Sequence, residues 1–345
     1  MDRKHFLGSL VPLTIAGKSI AQQLPGNKTS KSKPNPVNIQ LPSYLKQGDV
    51  IGITCPAGYI TVADIAPAVE QIKSWGFDVE IGDTVGKRDF TYGGTDEERL
   101  QDLQKMLDAP HLKAILCARG GYGAVRIIDK LNFTKFTQHP KWVIGFSDIT
   151  VLHSHIHQQF GIATIHSKMC NSFPSDWNKA DALQKATILS IRDALSGVKQ
   201  EYKTLFNSYN VQGKAKGVLI GGNLRTLETL TGSASDIDTK NKILFVEDTG
   251  EYPYSIDRMF WNLKRTGKLK HLAGLIIGGF KLKEDVNEEP FGRNLYEIVS
   301  EKVAEYNFPV CFDFPVGHQR NNFALKCGAI HELLVDSDKA VLKES

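Results

Sequence analysis

Three short stretches put reactive side chains in turns that follow apolar runs: Ser147 in KWVIGFSDIT, Glu247 in LFVEDTGE and His318 in FPVGH. A hydroxyl is a weak nucleophile until a base takes its proton, and an imidazole is the better base when a carboxylate fixes its tautomer and stabilises its cation. Serine, acid and histidine occur here in that chain order. Each also has an ordinary explanation. Ser147 and Asp148 are good helix N-caps, His318 sits in a loop beside Gly317 and Gln319, and Glu247 has Asp248, Glu251 and Asp257 as rivals. Asp257 followed by Arg258 reads as an ion pair on a helix face. The turn Arg119-Gly120-Gly121-Tyr122-Gly123 presents consecutive backbone N–H groups with no Cβ in the way, which suits a developing oxyanion as well as a plain tight turn. The glycines at 221–222 and 278–279 are weaker versions.

Other chemistries fit less well. His153 and His157 in HSHIH are four apart on an expected helix, but Ser154 stands where a zincin helix has Glu, so a polar helix face is expected and no metal. No dinucleotide fingerprint or P-loop is present, and no cofactor is expected. The five cysteines include no close pair, which predicts neither a zinc ribbon nor a disulfide framework. Cys117 lies within an apolar run, a poor place to form the thiolate of a glutaminase.

The elements that must hold these turns alternate. From Asp49, strand-like DVIGIT, FDVEIGD, KAILCAR and KWVIGF alternate with helix-like segments at 62–75, 95–109 and 148–160. Thr95 opens the second helix and Pro110 stops it. Such alternation predicts a parallel sheet covered on both faces, with ligands at the carboxyl ends of its strands, where residues 119–123 and 145–148 fall. Residues 171–210 read as a helical connector and loop, which places an N-terminal α/β domain at 47–195, a linker at 196–212 and a mixed, β-rich domain at 213–345. The chain of 345 residues is long enough for two such domains. Its formal charge of +4 is small and spread out, which points away from nucleic acid and toward a small-molecule or peptide partner.

The beginning differs from the rest. Arg3, Lys4 and His5 precede an apolar stretch from Phe6 to Ala16, and Ser19 and Ala21 are placed for cleavage, which is the layout of an export signal over residues 1–21. The stretch is too short for a stable membrane anchor. Residues 22–46, rich in Pro, Asn, Ser and Lys, read as a flexible lead-in. Export to the periplasm is the expectation, a cytoplasmic location the alternative.

GFSDIT, LFVEDTGEYPYSIDRMFWNLKRTG and PVGHQRNNFALKCGA, with ARGGYGAVRIIDKL and GVLIGGNLRTLETLTG between and before them, resemble the signatures of the L,D-carboxypeptidases, the muramoyltetrapeptide carboxypeptidase family of serine peptidases. The likeness runs from about Gly48 to about Val335. It implies an N-terminal domain resembling class I glutamine amidotransferases, a smaller β-rich C-terminal domain, and a site in the cleft between them. By motif position it makes Ser147 the nucleophile, His318 the base and Glu247 the orienting acid, with the backbone N–H groups of Asp148 and Gly121 as the oxyanion hole. It implies a homodimer and release of terminal D-alanine from murein tetrapeptides, without metal or cofactor. A related branch cleaves peptidyl-nucleotide antibiotics, and a non-catalytic muropeptide-binding protein is a further alternative. Gln319 and Lys326 depart from the family pattern beside His318, and the export signal is unexpected among cytoplasmic members. A carboxypeptidase also needs a cation or N–H cluster for the terminal carboxylate. Arg119 and Arg126 are candidates by position, and Tyr122 is placed with them as a substrate-binding residue.

Overall fold

The computed structural model describes residues 39–284 and 289–345, so the expected export signal and residues 22–38 of the lead-in lie outside the described residues. Thirteen strands are described. In chain order they are β1 Val50–Thr54, β2 Asp78–Ile81, β3 Leu112–Cys117, β4 Trp142–Gly145, β5 Thr164–His166, β6 Glu201–Leu205, β7 Gly213–Asn223, β8 Ile243–Glu251, β9 Gly274–Leu282, β10 Val310–Cys311, β11 Leu325–Cys327, β12 Ile330–Val335 and β13 Lys339–Glu344. They form two sheets, ordered β11-β5-β4-β3-β1-β2 and β10-β9-β8-β7-β12-β13-β6.

The first sheet is parallel as expected, apart from β11, which pairs antiparallel with β5. Its central strands β1, β3 and β4 are mostly apolar and buried because helices cover both faces. Trp142, Val143 and Ile144 of β4 are all buried, on both sides of the strand. The helices Val62–Ser74 and Asp96–Asp108 begin at capping boxes built by Thr61 with Asp64 and Thr95 with Glu98. The second sheet is mixed. Strands β10, β9, β8 and β7 run parallel, and β12, β13 and β6 extend them as an antiparallel meander.

Two boundaries differ from the sequence reading. The segment expected to be a linker contains β6, whose EYKTL buries only Tyr202 fully, so it carries little apolar signal. The lead-in is packed by its last residues: Leu45 is buried, Tyr44 stacks on Trp142 at 5.8 Å, and the Ser43 carbonyl accepts from Trp142 Nε1 at 3.1 Å. All five cysteines are free and buried. Among the described residues no helix is long and apolar enough to cross a membrane.

The sheets meet through the helix Thr150–Phe160 and the end of β7. A Cβ on Gly222, which has φ +144°, would lie 2.4 Å from Thr150 Oγ1, so only glycine lets the two elements approach. At that contact Asn223 N–H donates to Thr150 Oγ1 at 3.0 Å.

Candidate active site

Ser147 follows the buried end of β4. Phe146 is extended, and Ser147 then turns at φ +63° into one 3₁₀ turn that leads to the helix Thr150–Phe160. A serine in the left-handed region is strained by about 1–2 kcal/mol. The cap position of that turn is Phe146, and the Ser147 hydroxyl makes no hydrogen bond among the described residues. The turn therefore does not serve to cap the helix; it lifts a half-buried hydroxyl above the buried residues Phe146 and Asp148.

The neighbouring groups hold this corner. The Asp148 carboxylate accepts from Ala124 N–H at 2.8 Å, which ties the Ser147 turn to the glycine loop. Burial lifts its pKa to about 6 against the lowering effect of the Ala124 and Gly123 N–H groups. The loop is pinned from the other side by Gly58 N–H donating to the Gly120 carbonyl at 2.7 Å. A Cβ on Gly120 would come within 3.1 Å of Ser147 Cβ, so the loop backbone runs directly beside the hydroxyl-bearing residue. Gly121 and Asp148 both line a cavity of about 270 Å³ with Ser147, Tyr122, Asn223 and Arg225. The Gly121 N–H meets no acceptor among the described residues.

The other half of the constellation comes from the second sheet. Glu247 sits fully buried in β8, and its Oε2 accepts both His318 Nδ1–H at 2.5 Å and His318 N–H at 3.1 Å. The turn before His318 requires glycine: Gly317 has φ +101°, and a Cβ there would lie 2.4 Å from Glu247 Cβ. Its N–H donates to Asn322 Oδ1 at 2.8 Å. With Nδ1 protonated toward Glu247, Nε2 is left with a lone pair, the tautomer a general base needs. Across the cleft the imidazole packs on Phe146, ring centroids 4.9 Å apart. The Glu247 carboxylate and the His318 ring are thus bonded, and Ser147 follows the residue whose ring packs on His318. Ser147 makes no hydrogen bond to His318 among the described residues; such contacts commonly tighten only around substrate.

The rival acids are engaged elsewhere. Asp248 accepts from Asn223 Nδ2 and Arg225 N–H, both at 2.9 Å, and burial lifts its pKa to about 6. Glu251 pairs with Arg225 Nη2 at 3.0 Å. Asp257 pairs with Lys302 at 2.5 Å and not with Arg258, which lies over the Tyr254 ring.

The expectations about this region fare differently. Arg119 donates to the Tyr59 carbonyl at 2.9 Å and Arg126 is held by Asp96 at 2.8 Å, and neither is among the residues that line the cavity. Tyr122 does line the cavity. The histidine-bearing helix is not a polar face. His153, Ser154, His155 and His157 are all buried, because the helix is enclosed between the two sheets. His153 bonds the Gly145 carbonyl and His155 the Ser235 hydroxyl, each at 2.9 Å. Among the described residues no three His, Cys, Asp or Glu side chains group as metal ligands. Burial pushes the Cys117 thiol far above its ordinary range, which removes it as a nucleophile.

Residues 51–167 match the model of the LD-carboxypeptidase N-terminal domain and residues 216–333 that of the LD-carboxypeptidase C-terminal domain. A probable murein peptide carboxypeptidase of Bacillus subtilis is 33% identical over 301 residues, covering 84% of this chain and 89% of that protein. A microcin self-immunity protein of Escherichia coli is 27% identical, covering 86% and 93%. The crystal structure of a muramoyltetrapeptide carboxypeptidase from Oxalobacter formigenes superposes with a TM-score of 0.75 at 27% identity, over 86% of this chain and 98% of that one. The two matched domains carry the Ser147 corner on one side and the Glu247–His318 pair on the other, and the chain belongs to the LD-carboxypeptidase family of peptidases.

Proposed function

We propose that the protein is a serine L,D-carboxypeptidase that releases the terminal D-alanine of murein tetrapeptides through an acyl-enzyme. The observation that carries this reading is the 2.5 Å bond from His318 Nδ1 to buried Glu247, with the imidazole packed on the residue that precedes a strained, half-buried serine. Ser147 Oγ attacks the scissile carbonyl carbon while His318 Nε2 takes its proton, and Glu247 stabilises the imidazolium. The Asp148 and Gly121 N–H groups donate hydrogen bonds to the carbonyl oxygen as negative charge develops on it. His318 then gives the proton to the leaving D-alanine nitrogen as the C–N bond breaks. Water, deprotonated by the same histidine, hydrolyses the ester and restores the serine.

Incubation with a disaccharide tetrapeptide should release D-alanine, and Ser147→Ala should release none while remaining folded. A fully active Ser147→Ala would remove the mechanism. The likeness to the microcin self-immunity protein favours a second substrate class, peptidyl-adenylates, and the same assay with such a conjugate separates the two. A non-catalytic muropeptide-binding protein would bind stoichiometrically and yield no product. The reading includes export, tested by fractionating cells for a shortened chain, and a homodimer, tested by its mass in solution.

A further inference from the structure

The proposed reaction constrains where a cation must stand. His318 protonates the leaving nitrogen, and in an α-amino acid that nitrogen lies only about 2.5 Å from the carboxylate carbon. The group that holds the terminal carboxylate must therefore sit beside His318. Arg119 is held by the Tyr59 carbonyl, Arg126 by Asp96 and Arg225 by Glu251 and Glu228, and among the described residues none of them bonds the His318–Gln319 loop.

Lys168 does. It follows β5 by two residues, its Nζ donates to the carbonyl of Gln319, next to His318, at 2.7 Å, and it lies 5.8 Å from the ring centroid of Phe146, next to Ser147. It thus bridges the flanks of the proposed nucleophile and base. The ammonium is half-buried, carries three donors, and has no carboxylate partner among the described residues. Gly279 points its missing Cβ at the Gln319 side chain, and strand alternation sends Lys281 of β9 toward the same loop. Burial and then Lys281 hold the Lys168 pKa below the ordinary lysine value, against the opposing pull of Glu247, which marks a positive charge that an anion would relieve.

We infer that Lys168, reinforced by the field of Lys281, binds the terminal carboxylate of the substrate and makes the enzyme a carboxypeptidase rather than an endopeptidase. This rests on the peptidase reading above. The test compares a tetrapeptide ending in free D-alanine with the same peptide ending in D-alanine amide, for the wild type, Lys168→Met and Lys168→Arg. The wild type should prefer the free acid. Lys168→Met should lose about 10- to 100-fold in kcat/KM on the acid, mostly through KM, and change less than about 3-fold on the amide; Lys168→Arg should keep most of the preference. Equal losses on both substrates would assign Lys168 to holding the His318 loop through Gln319 and overturn the inference, as would an unchanged Lys168→Met. A wild type that releases nothing from either peptide, with no binding of the acid to Ser147→Ala, overturns the peptidase reading and this inference with it.

Discussion

Replacing Glu247 by Gln separates the two contributions of the acid, orientation and charge. The amide oxygen can still accept from His318 Nδ1–H and from the His318 backbone N–H, so the ring should keep its place. What disappears is the negative charge facing the imidazolium formed in the transition state. Two unit charges 2.5 Å apart interact by about 7 kcal/mol at an effective dielectric near 20. That figure is a ceiling, because the imidazolium charge is spread over the ring and His318 is 18% exposed. Loss of the acid in comparable triads lowers kcat by about 10⁴-fold, or about 5.5 kcal/mol, which lies under the ceiling. There is a smaller structural effect. Glu247 Oε1 is buried without a hydrogen-bond partner, and an amide NH₂ in its place would bring unsatisfied donors, costing about 1–3 kcal/mol of stability. D-alanine release by Glu247→Gln should therefore fall about 10⁴-fold in kcat with KM within a few-fold, in a folded protein with a lowered unfolding midpoint. Activity within about 10-fold of wild type would refute the assignment of Glu247 as the charge that stabilises the imidazolium.

Further outcomes follow from the strain, packing and burial around the site. Ser147→Gly should be inactive yet more stable than Ser147→Ala by about 1 kcal/mol in urea unfolding, since only glycine adopts φ +63° without strain; equal stabilities would contradict the strained corner. Gly222→Ala should cost about 3 kcal/mol or more and lower activity with it, because its Cβ would meet Thr150 Oγ1 at 2.4 Å where the sheets join; a wild-type unfolding curve would contradict that contact. Burial pushes the pKa values of His153, His157 and His331 down to about 4, whereas an unfolded chain restores them to about 6.5. Between those values the unfolded chain binds protons that the folded one does not, so stability falls as pH drops, by up to about 1.4 kcal/mol per pH unit for each histidine. Asp148 and Asp248, lifted to about 6 by burial, bind protons in the fold over part of the same range and oppose the loss without cancelling it. Urea unfolding at pH 7, 6 and 5 should show the decline, and a stability that rises toward pH 5 would contradict it.

The candidates Ser147, Glu247 and His318 stand out in the sequence because each follows apolar residues, although Glu247 lies inside β8, which runs on to Glu251, and not in a turn. The packing partners around them do not. Gly222 looked like half of a weak anion nest, because nothing local tells that Thr150, far back in the chain, fills the space a Cβ would need. The helix Thr150–Phe160 carries His, Ser and Gln and so resembles a solvated face; only its enclosure between two sheets buries it. Strand β6 reads as linker in the sequence because EYKTL buries only Tyr202 and forms neither an apolar run nor a clean alternation. Lys168 belongs to no motif. Its place depends on Gln319 arriving from the other domain, a contact between residues far apart in the chain.

The most direct test of the central claim is the site of covalent modification. A phosphonate analogue of the D-alanyl peptide, incubated with the mature protein and mapped by mass spectrometry, should leave one adduct on Ser147. The adduct should be lost in Ser147→Ala and form far more slowly in Glu247→Gln. An adduct on any other residue, or full D-alanine release by a protein that Ser147→Ala leaves equally active, would contradict the account.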